Sequence, residues 1–110
     1  EAQFYQAFFS KPAYQRLSKI ITKGADGLDL ILPDGACQSF PAFEVPSLSS
    51  HGAGDVFVGA LAAQRLAQIP WETALRYAQA AAALHVATPR RQRAAITPGD
   101  IKALMQKGAR

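Results

Sequence analysis

With 110 residues the chain has room for one domain at most, and its 49% apolar content can support a packed core. No stretch joins enough apolar length to freedom from charge to span a bilayer, and Glu1-Ala2-Gln3 lacks the basic-then-apolar form of a signal peptide. The formal charge of +4 reads as a solvated excess of Arg and Lys, and the single Cys37 excludes an internal disulfide or a cysteine metal site, as suits a reducing cytosol.

In chain order, Phe4, Tyr5, Phe8 and Phe9 pair at i,i+4 spacing and predict a helix with an aromatic face. Such a face is expected in a core, with base stacking the weaker alternative. Pro12 can open a second short helix carrying Tyr14 and Leu17. Ile20-Ile21-Thr22 reads as a short buried strand. Leu28, Leu30 and Leu32 alternate with Asp29 and Ile31, Pro33-Asp34-Gly35 makes a turn, and Ala36 to Phe40 follows as a second strand. Pro41 and Pro46 bracket an extended segment, Ala42 to Val45.

From Val56 to Leu66 the sequence is apolar almost all round, which predicts a helix in an interior. Pro70 can open the next helix, from Trp71 towards Val86, whose alanines permit close approach. The last helix is the best marked. Thr97 can cap it, Pro98 fits its first position, Asp100 completes a T-x-x-D box, and Ile96 can staple to Ile101.

The most informative stretch lies between the hairpin and these helices. Gly52-Ala53-Gly54 runs straight into the apolar helix, with Asp55 at the junction. Free N–H groups at a helix start bind anions, and glycines let a phosphate approach the main chain. A carboxylate there would repel a bound phosphate unless it served a purpose, such as taking a proton from an attacking hydroxyl. The combination suggests phosphoryl transfer. The bland alternative is an Asp capping a buried helix.

Four segments then carry a family resemblance in order. Gly52-Ala53-Gly54-Asp55-Val56-Phe57 resembles the C-terminal signature of the ribokinase-like (PfkB) carbohydrate kinases. Upstream, Ile20 to Leu28 resembles that family's strand and T-x-G-x-x-G nucleotide loop. Downstream, Ala74 to Leu84 resembles the alanine-rich helix beside the adenine, and Ile96-Thr97-Pro98 with Ile101 the entry to the final helix. The resemblance implies a ribokinase-like three-layer α/β/α (Rossmann-like) fold, of which residues 1–110 supply the C-terminal portion: a β-hairpin and three C-terminal helices. The N-terminal sugar-binding portion and lid are expected to lie outside these residues.

The resemblance also implies the chemistry. Asp55 would be the catalytic base in ATP-dependent phosphorylation of a hydroxyl on a sugar or sugar-like molecule, with Gly52, Ala53 and Gly54 as anion hole. Thr22, Lys23, Gly24, Ala25, Asp26 and Gly27, with Gly54, Asp55 and Gln79, would bind ATP. Magnesium would arrive with ATP, and no protein metal site is expected. A cytoplasmic protein is implied, with no nucleic-acid or membrane partner; the complete protein could form a homodimer. The acceptor is not legible here.

The chain departs from the family pattern in its approach to the turn. Ser49, Ser50 and His51 stand where the family usually has D-T-T. Ser49 replaces an aspartate that often helps hold a monovalent cation, which puts potassium activation in doubt. His51 reads as a tolerated substitution, with an anion-site donor as the alternative. Arg90-Arg91-Gln92-Arg93 replaces a short glycine-containing segment and reads as a solvated loop, with an arginine reaching a phosphate as the alternative, and His85 reads as packed. Two rival classes stand beside the kinase: a non-catalytic nucleotide-binding remnant, supported by the altered triplet, and a nucleic-acid module resting on the basic loop.

Overall fold

A computed structural model describes residues 16–108. The expected aromatic helix at Phe4–Phe9 and the start of the Pro12 helix lie outside them. The chain divides into two units, residues 1–40 and 41–110.

In the first unit three strands, β1 (Lys19–Thr22), β2 (Leu28–Ile31) and β3 (Cys37–Phe40), form an antiparallel sheet in that order. β2 is central, with Leu28 opposite both Thr22 and Phe40. The period of two puts Leu28 and Leu30 on one face, and both are buried, as is Phe40. The opposite face is mixed, carrying Asp29 between Ile21 and Ser39, and Ile31 between Lys19 and Cys37. The proline–glycine turn forms as the sequence predicts. Leu32 N–H bonds Ala36 O at 2.8 Å, and the Asp34 carboxylate accepts from the Ala36 amide at 2.9 Å. One expectation is corrected: Ile20-Ile21-Thr22 is not a buried strand. Among the described residues it lies at the edge of the sheet, with half-buried isoleucines and an exposed Thr22.

The second unit is helical: α1 (Ala53–Leu66), α2 (Trp71–Ala87) and α3 (Pro98–Lys107), with a 3₁₀ turn at Arg90–Ala95. α1 and α2 form a helical hairpin. The turn between them is a Schellman motif in which Gln68 N–H bonds Arg65 O and Ile69 N–H bonds Gln64 O, both at 3.0 Å. Gln68 holds the left-handed conformation there, with φ 62°. Arg65 also donates to Ile69 O and lies over the Trp71 ring at 4.2 Å.

α2 is the spine of this unit. Ala74, Leu75, Ala78 and Ala81 recur at helical spacing and are buried, and their small side chains admit close neighbours. Phe43, from the extended segment 41–52, joins Ala80, Ala81, Ala83 and Ile101 in one core cluster, with Val56 and Ala60 of α1 packed against it. α3 starts on a complete capping box: Thr97 Oγ1 accepts from the Asp100 amide at 3.2 Å, and Asp100 Oδ2 from the Thr97 amide at 2.9 Å. Ile96 packs on the cluster that holds Ile101, as a staple requires.

α1 is covered less than α2 or α3. None of its residues is buried, and Val58 and Leu66 are 64% and 86% exposed. One face, with Val56 and Ala60, meets the core, while the rest of the apolar circumference has no covering element within this unit. No helix among the described residues is long and apolar enough to cross a membrane.

Candidate active site

The junction of segment 41–52 with α1 is built by backbone geometry. Gly52 is the N-cap residue, with φ 82° and ψ −2°, a left-handed conformation that turns the chain into the helix. A Cβ there would stand 3.2 Å from His85 Nε2, so the imidazole occupies the space a side chain would need. Ala53 N–H bonds Ser50 O at 3.1 Å, and Val56 N–H closes the first helical bond to Gly52 O. The amides of Gly52, Gly54 and Asp55 make no bond to any described residue. Of the three predicted anion-hole residues, Ala53 therefore has its amide committed within the turn, while Gly52 and Gly54 present open donors, joined by the Asp55 amide.

Asp55 sits in the first turn of α1, where the helix dipole favours a carboxylate. Its side chain is exposed and forms no hydrogen bond or ion pair with described residues. It differs in this from Asp100, whose carboxylate is occupied in a capping box. Gly54 is also exposed, has no positive φ, and a Cβ on it would meet nothing within 4 Å.

The remaining predicted positions fall in two places. Thr22 to Gly27 lie in the first unit, where Gly24–Asp26 form a 3₁₀ turn closed by Lys23 N–H to Gly27 O at 2.7 Å. Thr22 through Asp26 are exposed. The Lys23 ammonium lies 3.0 Å from Asp29 Oδ1. Hydrogen bonds from Ser39 and then Lys23 hold the Asp29 carboxyl below its ordinary value of 3.8. Gln79 belongs to the second unit, about 9 Å along α2 from His85 towards the helix start. Its side-chain amide donates to Pro41 O at 3.3 Å, fastening the start of segment 41–52.

One residue turns out otherwise than the sequence reading has it, and a second makes a contact the reading does not include. Arg90, Arg91 and Gln92 are exposed, but Arg93 is half-buried and not part of a solvated loop. Its Nε donates to His85 O at 2.8 Å and Thr88 O at 3.1 Å, and its Nη2 to Ser49 O at 3.4 Å. Its charge is spent on backbone carbonyls at the end of α2, where the helix leaves them unsatisfied. His85 is packed as expected, but its Nε2 also donates to His51 O at 2.8 Å. A basic residue within reach of a helix C-terminus is the available sequence signal for Arg93; the carbonyl of Ser49, distant in the chain, leaves none. An open depression of about 480 Å³ between the end of α2 and α3, lined by Leu84, Ile96 and Leu104 among others, includes none of the predicted site residues.

A left-handed glycine feeding open amides at a helix start, beside a carboxylate with no partner among the described residues, can bind an anion and accept a proton. A family model, pfkB family carbohydrate kinase, matches residues 11–97, and the chain belongs to that family. It is 36% identical over 89 residues to a 2-dehydro-3-deoxygalactonokinase of Haloferax volcanii, covering 81% of this chain and 27% of the relative. The aminoimidazole riboside kinase of Salmonella enterica, solved with aminoimidazole riboside and an ATP analogue, is 31% identical with a TM-score of 0.68, covering 80% of this chain and 31% of that one. A putative ribokinase II of E. coli, solved with ATP and magnesium, is 26% identical with a TM-score of 0.73, covering 82% and 29%. The fold is the ribokinase-like α/β fold, and the chain spans about a third or less of each of these relatives' length.

Proposed function

We propose that residues 1–110 form the C-terminal nucleotide-binding and catalytic portion of a PfkB-type kinase domain that transfers the γ-phosphoryl group of ATP to a hydroxyl of a sugar-like acceptor. The observation that carries this reading is the turn at Gly52–Asp55: open amides at Gly52, Gly54 and Asp55 beside an exposed carboxylate with no partner among described residues. Asp55 accepts the proton of the acceptor hydroxyl as its oxygen bonds to phosphorus and the bond to ADP breaks. A base of this kind contributes about 10²–10⁴-fold. The amides stabilise charge gathering on the equatorial oxygens, which carry most of it in such transfers.

Thr22–Gly27 and Gln79 complete the nucleotide site in this reading. Lys23 is already paired with Asp29, and Gln79 already donates to Pro41 O. Among described residues no group of three His, Cys, Asp or Glu side chains could hold a metal. In this reading magnesium arrives with ATP, where it would supply charge neutralisation. Ser49 brings no carboxylate for a monovalent cation, and its carbonyl already accepts from Arg93.

The test is Asp55→Asn in the full-length protein. Turnover is expected to fall by about 10²-fold or more while MgATP affinity changes less than about threefold. Near-normal turnover would overturn the assignment of Asp55. ATP binding by the wild type with no transfer to any acceptor would replace the reading with a nucleotide-binding remnant.

A further inference from the structure

Segment 48–52 is fastened to the end of α2 at three successive levels. Leu48 N–H bonds Val86 O at 2.7 Å, Arg93 reaches Ser49 O, and His85 reaches His51 O. We propose that Arg93 and His85 are positioning residues of the transfer turn, holding the peptide between His51 and Gly52 so that the Gly52 amide faces the transferring phosphoryl group. The proposal rests on the kinase reading above.

The geometry of one peptide carries the argument. All peptide bonds among the described residues are trans, so the carbonyl of His51 and the amide of Gly52 point in opposite directions within one plane. Holding that carbonyl against His85 therefore fixes the direction of the Gly52 N–H, which meets no described residue. A carbonyl can only accept, so Nε2 must carry the proton, in the neutral ring as in the charged one. The imidazole also lies beside Gly52, with Nε2 3.2 Å from where a Cβ would stand.

Arg93 acts one level back. Its planar fork joins two carbonyls at the end of α2 to that of Ser49, and only a guanidinium offers several donors in one rigid plane. A lysine would reach one or two of these oxygens. Arg93 thereby sets where segment 48–52 leaves α2, and His85 sets the orientation of its last peptide. Neither side chain needs to touch the nucleotide or the acceptor.

The experiment uses the full-length protein, with MgATP as donor and 2-dehydro-3-deoxygalactonate and ribose as acceptor probes. Hydrogen exchange of the peptide covering 48–55 is followed in parallel. Arg93→Ala and His85→Ala should each lower kcat by about 10²-fold, the scale of a small misplacement of a reacting group, with KM for MgATP within about threefold. Exchange across 48–55 should quicken. His85→Gln, which keeps a donating amide, should recover most of the activity lost in His85→Ala, and added guanidinium should raise the turnover of Arg93→Ala. Folded variants with kcat within twofold of wild type, or with unchanged exchange across 48–55, would overturn the proposal. If Arg93→Ala does not fold, the His85 pair decides alone. A wild type that transfers no phosphoryl group to any acceptor would instead remove the kinase reading, and the proposal with it.

Discussion

Gly54 and Gly52 stand two residues apart, and the structure assigns them different reasons for lacking a side chain. At Gly54 an added Cβ meets nothing within 4 Å and the backbone needs no left-handed angle. Alanine there should be tolerated by the fold and should even stabilise α1, by about 0.5 kcal/mol, since glycine in a helix is up to about 1 kcal/mol worse than alanine and the first turn realises part of that. If the turn receives a phosphoryl group, however, the methyl group obstructs its approach to the open amides. Losing one such donor costs about 10²–10³-fold in turnover. Gly52→Ala should behave in the opposite way. Its φ of 82° makes the substitution strained by about 1–2 kcal/mol, and the Cβ would press on His85 at 3.2 Å. Denaturant unfolding and steady-state kinetics on both variants of the full-length protein separate the two effects. Gly54→Ala is expected to be at least as stable as wild type and about 10²-fold slower. A stable Gly54→Ala enzyme with turnover within threefold of wild type would refute the claim that this turn holds the transferring group.

Other expectations concern the frame around the site. Gln68 holds a left-handed C′ position, so Gln68→Gly should stabilise the protein by about 0.5–1 kcal/mol, read from the denaturation midpoint. Thr97→Ala removes half of the capping box and should cost about 1 kcal/mol by the same assay. The Asp29 carboxyl is held below its ordinary value, so its contribution is present above about pH 4 and is lost as pH falls through its folded value. On a largely solvated pair this is worth about 0.5 kcal/mol. Asp29→Asn should cost about 0.5 kcal/mol at neutral pH and flatten the fall in stability below about pH 4, as acid titration of unfolding would show.

The features legible in the sequence were those with a local mechanism. Pro33-Asp34-Gly35 specifies its own turn, Thr97 and Asp100 satisfy each other's amides, and Gly52 starts a helix because few other residues adopt its φ. Periodicity alone is silent on the partner of α1, because an all-round apolar helix states that it wants covering and not what covers it. Arg93 reads as solvent-facing within its basic run, whereas its partners are main-chain carbonyls at Ser49, His85 and Thr88 that any sequence would carry. Gln79 belongs with it, since the oxygen it holds is the backbone carbonyl of Pro41. Side chains that brace the main chain leave little trace in residue type, and in this chain they cluster behind the glycine turn.

The central claim is that the turn at Gly52–Asp55 serves phosphoryl transfer to a hydroxyl. The most direct measurement follows the label from γ-³²P ATP with the full-length protein, magnesium and a panel of sugars, nucleosides and sugar acids. Acceptor-dependent appearance of a labelled phosphate ester, abolished by Asp55→Asn, is the predicted result. Release of label only as inorganic phosphate, or ester formation that survives Asp55→Asn unchanged, would contradict it.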